Sequence, residues 1–285
     1  MRTITTVTEL RRALALQREQ GKSIGFVPTM GALHEVHLSL IRMSKQHTDV
    51  TVVSIFVNPT QFGPSEDFDK YPRTIEADAS MLVEEEVEFL FLPSVQQMYP
   101  KGQTTSVHMQ GITDLFEGAR RPGHFDGVAT VVSILFNIVQ PQTAYFGQKD
   151  AQQLAVIRKL VTDLAFPIEI MAGPTIREKD GLALSSRNRY LSDADRKEAI
   201  AVSRTLYFVR DELKNHGNIH NARVAGIAEF SRIAPNGVLD YLDIVDSETF
   251  QPAASFETRG GTDTTLSIII AANFGATRLI DNIQI

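Results

Sequence analysis

Along residues 8–171, short apolar runs alternate with segments whose apolar positions recur every three or four residues. Residues 8–20 carry a helical pattern that stops at Gly21, and residues 23–27 form a run of the length and content of a buried strand. Helical spacing returns over 35–46, where Leu38, Leu40 and Ile41 carry it, and again over 75–86, 128–139 and 151–163. Between these lie β-rich runs at 50–57, 87–92, 143–146 and 168–171, with Pro93 closing the second of them. Such alternation predicts an α/β fold, a Rossmann-like parallel sheet with helices on both faces. The pattern changes after Ser192. A long charged helix is expected to open there, with Asp195 three residues on completing a weak capping box, and a second helix is expected over 221–233. Apolar runs at 239–245, 266–272 and 278–285 have no helix between them, so they are expected to pair antiparallel, with a turn at 260–263. The chain is thus expected to divide into a domain over 1–176 and a smaller α+β domain with antiparallel strands over 177–285.

Composition narrows the function classes. The chain has 285 residues, 43% of them hydrophobic, which is enough for a sizeable core, and its formal charge of −6 argues against a phosphate-tracking nucleic-acid surface. No cysteine occurs, so thiol nucleophiles, thiolate metal sites and disulfides are excluded, in keeping with a reducing, cytoplasmic setting. Residues 1–6 open without an apolar leader core, and no apolar run approaches the length of a membrane span.

Three segments carry candidate chemistry. Pro28-Thr29-Met30-Gly31-Ala32-Leu33-His34-Glu35-Val36-His37 turns from the first strand into a helix start, where free N–H groups and the helix dipole favour phosphate and where two imidazoles three apart share a face. A two-histidine metal site is open to the same residues if a third ligand joins them. Phe146-Gly147-Gln148-Lys149-Asp150 lies at a strand end running into a helix, the place where open parallel sheets bind ligands. Asp180-Gly181-Leu182-Ala183-Leu184-Ser185-Ser186-Arg187 offers hydroxyl and guanidinium donors suited to a pyrophosphate group. Each segment alone is also compatible with ordinary surface residues.

Together, a His-x-x-His turn and a late Ser-Ser-Arg loop bracketing one parallel sheet resemble the signature motifs of the nucleotidyltransferase superfamily that includes class I aminoacyl-tRNA synthetases. Within it, six segments in order resemble the pantothenate synthetase family: Val27-Pro28-Thr29-Met30-Gly31, Ser54-Ile55-Phe56-Val57-Asn58-Pro59-Thr60-Gln61-Phe62, Tyr71-Pro72-Arg73-Thr74, Arg121-Pro122-Gly123-His124-Phe125, Phe146-Gly147-Gln148-Lys149-Asp150-Ala151-Gln152-Gln153-Leu154 and Leu184-Ser185-Ser186-Arg187-Asn188-Arg189-Tyr190-Leu191. The similarity returns at Arg278-Leu279-Ile280-Asp281-Asn282.

The resemblance implies an ATP-dependent ligase that condenses pantoate with β-alanine through a pantoyl adenylate, releasing AMP and pyrophosphate. It implies a nucleotide site built from Met30, Gly31, Ala32, Leu33, His34, Glu35, Val36 and His37, from Gly147, Gln148, Lys149 and Asp150, and from Ile176, Leu184, Ser185, Ser186 and Arg187. Within that set His34, His37, Lys149 and Arg187 would be catalytic, with His37 a proton donor. Gln61 would contact both pantoate and β-alanine and Gln153 would hold pantoate, with Asn58 and Arg121 as further contacts. Mg²⁺ would accompany the triphosphate, held mainly by substrate oxygens, with Asp78 the candidate carboxylate near it. A homodimer and a lid-like C-terminal domain are also implied. One position departs from the family, which carries Gly where this chain has Val36. That substitution motivates an alternative, a homologue impaired in ATP binding; a related adenylyltransferase acting on another acid is the other.

Overall fold

The computed structural model describes residues 1–63, 68–256 and 265–285, so the turn expected at 260–263 lies outside the described residues. Two compact units divide the chain, one of residues 1–147 and 156–173, the other of residues 148–155 and 174–285.

The first unit is a six-stranded parallel sheet in the order β1-β4-β3-β2-β5-β6, formed by β1 (Arg2–Ile4), β2 (Ile24–Thr29), β3 (Val50–Ile55), β4 (Phe89–Phe91), β5 (Thr143–Gly147) and β6 (Glu169–Gly173). All six residues of β3 are buried, as a strand covered on both faces requires. Helices α1 (Val7–Glu19), α2 (Glu35–His47) and α3 (Ile75–Glu84) precede the short α4 (Val95–Met98) and α5 (Phe116–Arg120), and α6 (His124–Val139) and α7 (Ala151–Asp163) follow, α7 belonging to this unit from Val156 on. Val27, Ile41, Val53, Leu82, Leu90 and Tyr145 form one core layer. Phe136 of α6 meets Phe26, Phe146 and Phe166 edge-on, with ring centroids 6.5, 6.3 and 5.6 Å away. The strand β1 was not expected from the pattern: it is three residues long and buries only Ile4.

From β2 the chain moves through β3 to β4 on one side and places β5 and β6 on the other. The strand order therefore reverses between β2 and β5, and open parallel sheets bind ligands outside the carboxyl ends of such strands. The ladder itself forks there. The strand β2 is in register with β3 from Ile24 to Thr29 but with β5 only at Gly25 and Phe26, while β5 continues beside β6 to Gly147. Pro28, two residues past the last β2–β5 partner, has no N–H to offer a ladder.

The second unit carries an antiparallel sheet of β7 (Val238–Asp246), β8 (Leu266–Phe274) and β9 (Thr277–Gln284). Helices α8 (Asp193–Ala199), α9 (Ala201–His216) and α10 (Ile219–Ile233) accompany it. Leu206, Val209, Phe230, Leu242, Ile268 and Ile270 are central to its core. Gly226 lets α10 approach closely, since a Cβ there would lie 2.3 Å from Val209 Cγ2. Ser192 caps α8 as expected, its side chain accepting from the Asp195 N–H. The single long helix expected after it is instead two, divided at Ile200. Among the described residues no helix is long and apolar enough to cross a membrane.

Candidate active site

The turn from β2 into α2 is built by its neighbours. Thr29 Oγ1 donates to the Ser54 carbonyl at 2.8 Å and accepts from Gly31 N–H at 3.1 Å. Gly31 and Ala32 both have positive φ, +85° and +51°, and a Cβ on Gly31 would crowd Ile55 at 3.0 Å. Asp78 completes the turn, accepting from Ala32 N–H at 3.0 Å, Leu33 N–H at 2.8 Å and Thr74 Oγ1 at 3.1 Å, while only 1% exposed. Asp78, the carboxylate expected near a metal, holds the loop through both its oxygens.

His34 is the N-cap of α2, and its N–H donates to His37 Nδ1 at 3.3 Å. The two rings stack at a tilt, centroids 4.4 Å apart. An Nδ1 that accepts carries no proton, so this contact selects the His37 tautomer with its proton on Nε2. Val36 lies beside the end of β5, its Cγ1 3.9 Å from where a Cβ on Gly147 would stand. Val36 therefore occupies space at the β2–β5 switch.

A second group surrounds Gln61. Asn58 Nδ2 donates to Gln61 Oε1 at 3.0 Å and to the Gly127 carbonyl at 3.1 Å. Its Oδ1 accepts from Thr60 N–H at 3.3 Å, Thr60 Oγ1 at 3.0 Å and Tyr99 OH at 2.7 Å. Both ends of the Asn58 amide are engaged inside the protein at 1% exposure, and through Nδ2 it supports Gln61. Arg121 and His124 turn to the same segment: Arg121 Nη2 lies 3.4 Å and His124 Nδ1 2.9 Å from the Gln61 carbonyl. Burial pushes the Tyr99 phenol up from its ordinary pKa, which keeps it a donor.

In the second unit, Lys149, Ser185, Arg187, Arg278 and Asp281 line a cleft. The segment 176–184 folds back on itself, with Leu184 N–H donating to the Ile176 carbonyl at 2.8 Å, and Ser185 Oγ accepts from Arg187 N–H at 3.3 Å. Ser186 and Arg187 are exposed, and Gln153 is half-buried in the first turn of α7. Asn282 donates to the carbonyls of Gln148 and Lys149 at 2.9 and 2.8 Å, fixing the backbone that carries Lys149. Beside it Asp281 takes a two-point ion pair from Arg177, at 2.6 and 3.1 Å. Burial works against the Arg177 charge, but the Asp281 carboxylate outweighs it and holds the guanidinium above its ordinary pKa. Arg278, Asp281 and Asn282 stand in a sequence segment quoted above, but nothing in the pattern assigned them a function; Tyr99 left no signal at all.

The histidine turn and the Gln61 group fall in the first unit and the Lys149–Arg187 group in the second. Comparison with known proteins gives these residues a family. The profile described as Pantoate-beta-alanine ligase matches residues 2–284. The pantothenate synthetase of Acetivibrio thermocellus is 48% identical over 284 residues, covering 99% of each chain. That of Thermus thermophilus is 49% identical over 288 residues, covering 100% of this chain and 99% of the relative. A crystal structure of pantothenate synthetase from Thermus thermophilus superposes with a TM-score of 0.90 at 48% identity, covering 99% of both chains. A pantoate-beta-alanine ligase from Francisella tularensis, crystallised with beta-gamma ATP and beta-alanine, gives 0.77 at 33% identity over 99% of this chain and 97% of that one. With a matching profile and full-length relatives at nearly half identity, the chain belongs to the pantoate–β-alanine ligase family.

Proposed function

We propose that this chain condenses pantoate with β-alanine at the expense of ATP, in two half-reactions. In the first, a pantoate carboxylate oxygen attacks the α-phosphorus of ATP, the bond to the bridging oxygen breaks, and pyrophosphate leaves with pantoyl adenylate remaining. In the second, the neutral amine of β-alanine attacks the acyl carbon, AMP leaves, and the amine proton is lost. No protein residue becomes covalently modified, so the chain contributes position and charge.

The observation that most directly supports this reading is the β2–α2 turn, where His34 N–H engages His37 Nδ1 and leaves the His37 proton on Nε2. On this reading Met30 to His37 bind nucleotide with Gly147 to Asp150, Ile176 and Leu184 to Arg187. His37 donates to a phosphate oxygen, Lys149 and Arg187 offset the charge gained by the leaving group, and Gln61, Gln153 and Arg121 meet the acid and the amine. The described residues gather no three His, Asp or Glu side chains as a metal cage, and Asp78 is occupied. A divalent cation, Mg²⁺ by its usual preference for phosphate oxygens, would therefore be carried by the triphosphate and would neutralise part of its charge. A homodimer also belongs to this reading; sedimentation at several concentrations tests it, and a constant monomer mass would remove it.

Isotope exchange tests the order of steps. Labelled pyrophosphate should enter ATP when pantoate is present and β-alanine absent. Exchange that required β-alanine would overturn the adenylate route.

A further inference from the structure

The hydrogen bonds around Asn58 have only one consistent direction, and it fixes which end of Gln61 is available. Thr60 N–H can only donate, so the Asn58 atom 3.3 Å from it must be Oδ1. The Gly127 carbonyl can only accept, so the Asn58 atom 3.1 Å from it must be the NH₂ group. The NH₂ also meets the Gln61 side chain at 3.0 Å, which obliges Gln61 to present its oxygen there. Gln61 Nε2 is thereby turned the other way, and it finds no acceptor among the described residues although Gln61 is only 8% exposed. Tyr99, from the end of α4, places its hydroxyl 2.7 Å from Asn58 Oδ1 and can only be the donor there, because Oδ1 is an acceptor. Gly127 makes the arrangement possible: a Cβ on it would lie 2.2 Å from the Thr60 carbonyl, so only glycine lets α6 bring its own carbonyl to Asn58.

We propose that Tyr99 is a positioning residue for acid binding: through Asn58 it locks the Gln61 amide so that an NH₂ donor, and not a carbonyl acceptor, faces a carboxylate or hydroxyl oxygen of the substrate. The proposal rests on the reading that Gln61 touches the acid. It accounts for three side chains spent on orienting a fourth. A freely rotating amide would offer its oxygen to the substrate in one of its two orientations, and that orientation repels a carboxylate.

Pantothenate formation by the wild-type chain decides the functional reading separately. Tyr99→Phe keeps the ring and removes one donor, so the KM for pantoate should rise roughly five- to tenfold, as for the net loss of one hydrogen bond, with the KM for ATP unchanged. Asn58→Asp turns a carboxylate oxygen toward Gln61, which must then swing its NH₂ inward, and the KM for pantoate should rise by roughly a hundredfold. In a Gln61→Glu background the amide no longer exists, so adding Tyr99→Phe should change the pantoate KM no further. Equal increases in the KM for ATP and pantoate, or additive effects in the Gln61→Glu background, would reduce Tyr99 to a packing residue. Nitrogen-15 NMR reads the amide without turnover. The Gln61 NH₂ signal, identified by its loss in Gln61→Glu, should shift on adding pantoate to the wild type and stop responding in Asn58→Asp. A wild-type signal indifferent to pantoate overturns the proposal even if product forms.

Discussion

Asp78 and Val36 flank one turn and predict opposite behaviour on substitution. Removing the Asp78 carboxylate leaves the Ala32 and Leu33 N–H groups without their acceptor at a sealed position, so Asp78→Ala should lose about 2–4 kcal/mol of stability, seen in chemical denaturation. If Asp78 were instead a metal ligand, the variant would keep its stability and need far more Mg²⁺ for activity. Val36→Gly should lower the KM for ATP by clearing the space beside Gly147, at a cost of about 1 kcal/mol or less from added backbone entropy in α2. An unchanged or higher KM would mean that the site is already shaped around Val. Sequence reading found the histidine turn because spacing and helix-start chemistry are local properties. The hydrogen bonds that hold Asn58 and Asp78 were not legible, because their partners, Gly127 and Tyr99 for one and Ala32 and Leu33 for the other, lie 41 to 69 positions away and leave no periodic trace.

At the scale of elements, the two halves of the Arg177–Asp281 pair come from segments 104 residues apart, one in the 176–184 fold-back and one on β9. Asp281→Ala strands a guanidinium that is only 17% exposed, and a loss of about 3–5 kcal/mol is expected in urea melts; replacing both partners with apolar residues should recover much of it. Asp180 and Arg196 tie the fold-back to α8 at 2.7 Å, and the Arg196 hydrogen bond holds the Asp180 carboxyl below its usual range. A depressed folded pKa stabilises above the ordinary aspartate value and fades as pH falls through the lower one. Asp180→Asn should therefore remove a small stabilisation at neutral pH and flatten the acid limb, with variant and parent converging below about pH 4. Most helices and strands were legible from periodicity, since burial on one or both faces writes itself into the pattern. The break at Ile200 was not, because α8 and α9 keep helical spacing across it, and β1 was not, because three edge residues with one buried side chain carry too little pattern.

At the scale of the whole molecule, the α/β character and the antiparallel second sheet follow from how runs are ordered along the chain, whereas the strand order β1-β4-β3-β2-β5-β6 depends on pairings that the run order alone does not specify. A chain with no cysteine should be indifferent to thiol chemistry. Maleimide or mild peroxide at levels that spare methionine should leave turnover and melting temperature unaltered, and inactivation would point to modification elsewhere.

The fork between β2 and β5 is made of backbone: Pro28 withholds a donor, and the two strands part after Phe26 whatever side chains surround them. An opening of that kind does not depend on any one side chain of its lining, so a substitution beside it, as at Val36, alters how well a ligand fits while the crevice itself remains. Libraries randomised at Val36 should therefore retain folded members at high frequency, whereas replacing Pro28 alters the frame on which every such variant depends.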